Sequence, residues 1–294
     1  MKRFSADRIF SILGISILIF ILIGLGFLVG GLLYEGSSRL TYQFLSSYPS
    51  RFPDKAGILS ALVGSVLLVS VTALVSVPIG VAAGIYLEEY GRKGKGNYLL
   101  ELAVANLAGI PSILLGLLGL GLLAQRLSLG QSIATGGITL GFLVLPLIIV
   151  ATREGLRSIP SFVREAAYSV GATKWELVWH HLLPYASGSI VSGVIISISR
   201  ALGETAPLIT IGALTYIAFL PPLPLTSSFP FVSFEWLGAP FTALPIQMYN
   251  WLSRPNPAFH MNAAACGVIL LLVSLALNAA VIVYRYKRER RFRW

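Results

Sequence analysis

The chain has 294 residues, of which 55% are hydrophobic and only 12% charged, and its mean hydropathy is +0.79. Too few charged groups remain to cover a globular surface, which excludes a soluble enzyme and a disordered tail, and a lone cysteine, Cys266, excludes a disulfide-stapled domain. The net charge of +10 does not point to nucleic acid, because the basic residues lie between and after apolar runs, where membrane topology is written.

A membrane-spanning helix needs about 20 mostly apolar residues, with every backbone group bonded inside its own helix. Six stretches qualify: residues 9–33, 58–87, 99–123, 133–151, 190–220 and 263–284. The expected fold class is therefore an all-α polytopic membrane protein with six transmembrane helices. The first stretch follows Lys2, Arg3 and Arg8 but is too long for the apolar core of a signal peptide, and no small-residue cleavage site follows it, so it reads as a retained span. With the N-terminus in the cytoplasm, 16 of the 22 Lys and Arg fall on cytoplasmic segments, among them Arg92, Lys93, Lys95 and six residues after 284. Five fall outside and one, Arg200, lies within a span. That asymmetry assigns both termini to the cytoplasm.

The organisation follows: a first span with its outer loop (1–57), a five-span core (58–284) and a basic cytoplasmic tail (285–294). The core carries a cytoplasmic loop at 152–187 and a second outer loop at 221–262, which holds eight of the 16 prolines. No phosphate-binding loop, metal cluster or catalytic triad is evident. His180 and His181 are adjacent and so point to different helix faces. No catalytic residue, metal or resident cofactor is expected in this chain.

The 152–187 loop reads as two short helices joined by a glycine. Pro160 suits a first helical turn. The helix continues through Phe162, Val163, Glu165, Ala166 and Ala167 to Gly171, which can take the left-handed position after a helix end. Thr173-Lys174-Trp175-Glu176 has capping-box spacing. Trp175, Val178, Trp179 and Leu182 then form one apolar stripe, and Pro184 is expected to end the run. Such a knob suits a groove on another protein.

Arg200 and Glu204 stand in otherwise apolar surroundings in the fifth stretch. An arginine at the bilayer centre costs at least about 2.5–3.5 kcal/mol, so it should face protein or a watery path. Ser189, Gly193, Ser197, Arg200, Gly203 and Glu204 share one helical stripe, and Pro207 should bend the helix beside the charges. Two readings stay open. The charges neutralise one another at i, i+4, or Arg200 offers its planar fork to a passing oxyanion while Glu204 tunes it. Asn106 and Glu101 of the third stretch are further candidates for the path.

Glu165-Ala166-Ala167, three residues, Gly171, and later Leu183-Pro184 resemble the EAA loop of ABC importer permeases, with His181 where an isoleucine is usual. Arg200-Ala201-Leu202-Gly203-Glu204-Thr205-Ala206-Pro207 is similar to a signature of phosphate importer permeases. So are Leu107–Ser112 and Thr152–Pro160, and Leu244–Trp251 resembles the A-type subunit. The resemblance covers the chain from about residue 58 onward. It implies a type I ABC importer permease-like fold and a phosphate pathway with Arg200, Glu204, Ser197, Thr205 and Asn106. It also implies a coupling loop using Glu165, Ala166, Ala167, Gly171, Thr173, Trp175, Leu183 and Pro184. The implied partners are a second, C-type permease subunit, two ATPase subunits that hold ATP and Mg, and an extracytoplasmic phosphate-binding protein, in a bacterial inner membrane. Alternatives are a permease for sulfate, molybdate or another importer substrate, an anion channel, and a membrane-bound phosphate-sensing regulator.

Overall fold

The computed structural model describes residues 2–91, 94–224, 231 and 233–289, with side chains from 8 to 287. Arg92, Lys93, Ser228 and the last basic residues, which enter the charge count or the second outer loop, lie outside the described residues. Every regular element among the described residues is helical. Five helices are long and apolar enough to cross a membrane, and a sharply bent pair makes six.

Helix α1 (Lys2–Gly36) opens the chain and packs mainly on the start of the last helix, α12 (Ala258–Glu289). Gly36 and Leu32 lie against Ala264–Gly267 there. The connection that follows holds the short α2 (Tyr42–Ser46), capped by Thr41, whose hydroxyl accepts from the Phe44 N–H. It is not loose. Arg39 donates to Asn262 Oδ1 at 2.7 Å and to Pro53 O at 2.6 Å, while Phe44 packs on Trp251, so the connection is stitched onto α12.

The core is built on α3 (Leu59–Ile85) and α6 (Ile133–Arg157), which run parallel and very close. Close approach requires glycine: a Cβ at Gly80 would stand 2.7 Å from Ile148 Cγ2, and one at Gly84 2.6 Å from Thr152 Cβ. The Thr72 hydroxyl lies 2.8 Å from Leu68 O of its own helix and 3.0 Å from Gly137 O of α6, so its one proton is shared between the two helices. Leu68, Ile133, Leu140, Val144 and Ile148 fill the space around this seam. Helix α9 (Leu183–Gly203) runs antiparallel on the other face of α6, with Gly193 against Ala151 and Ser189 beside Gly155.

Three expected elements take a different form. The third stretch is not one helix: α4 (Lys95–Ala108) and α5 (Ser112–Leu118) meet at 104° across Gly109-Ile110-Pro111, and α5 runs on as a π-helical stretch to Arg126. Pro111 lacks the N–H that would continue α4, so the chain restarts with Pro111 just before the new helix. The fifth stretch ends as a helix at Gly203, not near residue 220. Glu204 is extended, and α10 (Ala206–Ile211) begins with Pro207 in its first turn, where a missing N–H costs nothing. The expected bend is a full break, three residues ahead of the proline.

Third, Pro184 does not stop the loop helix. The short α8 (Lys174–Glu176) passes through a π turn at Leu177–Leu182 straight into α9. There the Leu183 N–H bonds Val178 O, five residues back. The wider turn admits the proline ring without a stop. The second outer connection is likewise more buried than its composition suggests. Its α11 (Leu244–Leu252) inserts Ile246, Gln247 and Trp251 into the bundle, and Thr242 O lies against Gly64.

Candidate functional site

The two breaks, at 109–111 and 204–205, lie near one another in space. Thr210 and Pro207 of α10 approach Gly116 of α5. Beside them is a cavity of about 200 Å³ lined by Leu107, Ala108, Ile110, Pro111, Ser112 and Arg200, and closed by Leu143 and Pro146 of α6. Drug-sized ligands occupy ~300–1,000 Å³, so this space suits a small ion.

Arg200 brings the charge. Its Nε stands 3.5 Å from Glu204 Oε1, an ion pair too long for a good hydrogen bond. The Arg200 side chain is 58% exposed against 19% for Glu204. Its two Nη groups have no partner among the described residues. A guanidinium held at Nε alone keeps its outer fork open for two parallel hydrogen bonds to an oxyanion.

The other expected pathway residues are dispersed. Ser197 is 1% exposed and donates to Gly193 O within α9 at 2.7 Å, so it is packed inside the bundle, and of its stripe Arg200 lines the cavity. Thr205 lines a different space, an open apolar groove with Pro245, Met248 and Leu270. Asn106 is exposed at the end of α4, one residue before the cavity lining begins. Ser112 and Pro146 were not singled out from sequence as lining residues. A signal for Ser112 was present: Gly-Ile-Pro-Ser is a helix breaker followed by a restart, which a hydropathy window smooths over.

At the far end of α6 the 152–187 loop is well ordered by local chemistry. Helix α7 (Ser161–Ser169) carries Glu165 and Ala166 exposed and Ala167 buried. Gly171 has φ +85°, the left-handed value its position called for. The capping box is present in full: the Glu176 N–H donates to Thr173 Oγ1, and Glu176 Oε2 accepts from the Thr173 N–H at 2.8 Å. The apolar stripe divides. Leu177, Val178 and Leu182 are buried beneath the loop, whereas Trp175 and Trp179 meet at a 58° tilt, 5.2 Å between centroids, and remain exposed. Phe162, Tyr168 and Val170 are exposed on the same loop. Leu183 and Pro184 are half-buried at the start of α9.

Three arginines knit the root of this loop to the bundle, Arg153 and Arg157 from the last turns of α6 and Arg164 from the loop itself. Arg164 of α7 meets Glu89 at 2.6 Å and donates to Ile159 O and Leu156 O. Arg157 donates to both oxygens of Glu88, at 3.2 and 3.0 Å. Arg153 pairs with Glu101 of α4 at 3.0 Å and, at 3.5 Å, with Glu88. Glu88 and Glu89 sit on the π turn Tyr86–Tyr90 that ends α3. Glu101, a candidate for the path, is thus in an ion-pair network at the loop.

A membrane bundle with a broken, arginine-bearing span and an exposed two-helix loop describes a transport permease. The family model described as "Binding-protein-dependent transport system inner membrane component" matches residues 76–293, and the chain belongs to that family. Within it, the chain is 31% identical to the phosphate transport system permease protein PstA of Pasteurella multocida over 84% of this chain and 82% of that one. It is 29% identical to PstA 1 of Mycobacterium tuberculosis over 86% and 77%. The resemblance to A-type phosphate permeases is borne out. Its fold matches an inward-facing structure of the MetNI methionine ABC transporter with a TM-score of 0.60 at 18% identity, covering 76% of this chain and 94% of that one.

Proposed function

We propose that this chain is the A-type permease subunit of an ATP-driven phosphate importer in the bacterial cytoplasmic membrane, with both termini inside. The observation that carries the phosphate reading is Arg200: a guanidinium with a free outer fork, on a small cavity where two spans break. The PstA relatives supply the same substrate by similarity. The 152–187 loop docks on the ATPase through Trp175, Trp179 and Phe162, exposed large apolar groups beside the rigid Gly171 turn. A C-type permease completes the pore, two ATPase subunits bind ATP and Mg, and a phosphate-binding protein delivers substrate from outside. ATP-driven closure of the ATPase pair moves the loops and switches the path between its two openings.

Reconstitution into vesicles with the cognate C-type subunit, ATPase and binding protein tests this. ATP-dependent uptake of phosphate, and not of sulfate or molybdate, is the expected result. Uptake of another oxyanion in its place rejects the substrate, and uptake without the ATPase rejects the coupling.

A further inference from the structure

Helix α4 is held to the bundle in an unusual way. None of its 14 residues is buried. Between it and α3 and α6 runs an open apolar groove of about 500 Å³, bordered by Leu100, Ala103 and Val104 on one side and Ala83 and Ile149 on the other. At its other end the 104° break separates it from α5. Apolar packing on the core comes at its far end, from Leu107, and leaves the stretch around Glu101 weakly held.

One ion pair joins it to the rest among the described residues: Glu101 Oε1 with Arg153 Nη2, 3.0 Å. For Arg153 this is the one hydrogen bond among the described residues, since its Nε is buried without a partner and reaches Glu88 only at 3.5 Å. Asn97 also donates to Glu101 within α4, which holds the carboxylate in place. Arg153 in turn shares Glu88 with Arg157, and the neighbouring Glu89 is gripped by Arg164 of α7. A continuous line of charges runs from the two-helix loop, over the end of α3 and α6, to α4. From Glu101 the helix continues about 9 Å, at 1.5 Å per residue, to Leu107, where the lining of the cavity under Arg200 begins.

We infer that Glu101 is a positioning residue for transport: through Arg153 it makes α4 follow the cytoplasmic end of α6, from which the two-helix loop springs, so that movement of the loop and that helix end reopens or closes the 109–111 bend beneath Arg200. A helix whose inner face is only half-buried and which has one strong polar tether moves with its tether. This inference rests on the permease reading above but not on phosphate being the ion.

The test is made in the assembled complex with its ATPase. Ala108→Cys places a thiol in the cavity lining, and the native Cys266, 0% exposed, stays silent to a water-soluble maleimide. In the parent, a non-hydrolysable ATP analogue changes the labelling rate at position 108. Glu101→Gln is expected to shrink that change by about 2- to 30-fold, the range for a residue that carries coupling without touching a ligand. ATP hydrolysis continues in Glu101→Gln, so ATP consumed per ion delivered rises. Glu101→Asp retains part of the response. Arg153→Gln gives a matching loss, and the double variant is no worse than either single one, as for two residues acting through one contact. A full response in Glu101→Gln, additive losses in the double variant, or a smaller yield of complex at unchanged ATP per ion overturns the inference. A parent that responds to nucleotide but takes up no phosphate rejects the phosphate reading and leaves the tether standing. A parent with no response to nucleotide overturns both.

Discussion

Arg164 reaches from α7 back to Glu89 at the end of α3, closing to 2.6 Å, and the same guanidinium donates to the carbonyls of Leu156 and Ile159. One side chain thus pairs a nearly buried carboxylate and bonds backbone acceptors at and just past the end of α6. It stands directly before Glu165-Ala166-Ala167. The proposed docking surface is therefore anchored at its root to a membrane helix 75 residues earlier in the chain.

Removing the carboxylate leaves a charged group unpaired in a mostly buried place. Glu89→Gln is expected to cost the loop about 1–3 kcal/mol, the range for a lost hydrogen bond to a charged group. Limited proteolysis between residues 158 and 175 should accelerate in detergent, while cleavage at the opposite end of the bundle stays unchanged. Equal rates at the loop would show that Arg164 is held by the backbone carbonyls alone.

Gly171 separates backbone strain from crowding, because a Cβ there would meet nothing within 4 Å. Gly171→Val is expected to lose about 1–2 kcal/mol through the left-handed backbone alone and to co-purify poorly with the ATPase. Gly171→Asn, a side chain that tolerates positive φ, should largely restore binding. Equal binding by glycine, valine and asparagine forms would remove the turn from the docking surface.

Orientation is checked with single thiols. Ser253→Cys, exposed just after α11, should react with an impermeant reagent in intact cells, and Ser161→Cys, exposed at the start of α7, only after permeabilisation. The reverse pattern would place the 152–187 loop outside and end its role in coupling.

At the cavity, Arg200→Lys keeps the charge and loses the fork. If Arg200 touches the ion, Lys transports poorly and Arg200→Gln worse, by more than about tenfold, as for a lost charge-assisted contact of 1.5–3 kcal/mol. If Arg200 serves only to neutralise Glu204, Lys works nearly as well as Arg, and Arg200→Gln with Glu204→Gln recovers uptake. The 3.5 Å separation of the pair, with both Nη groups free, argues for the first outcome.

What could be read from the sequence depended on how local the determining chemistry was. The loop was legible because each device in it spans only a few residues: Gly171 at its turn, and Thr173 with Glu176 three positions on. Arg200 was legible because charge in an apolar run is conspicuous. The break at Gly109-Ile110-Pro111 was hidden inside a run whose mean hydropathy stays high, and the fate of Pro184 depended on a π turn that no spacing announces. A helical stripe gives a face but not which of its members reach the cavity: Arg200 does, whereas Ser197 is buried. The arginine–glutamate network joins residues 52 to 75 positions apart, beyond any pattern confined to one element.

The split fate of the tryptophans makes the chain its own optical reporter. Of the four described, Trp236 and Trp251 are enclosed and should emit steadily, whereas Trp175 and Trp179 are wet and in tilted contact at the surface where a partner is proposed to sit. Seating that pair in a groove would shift its emission to shorter wavelength and slow its quenching by iodide, with no label attached. The same signal, followed in a stopped-flow instrument, would time the engagement of the ATPase directly.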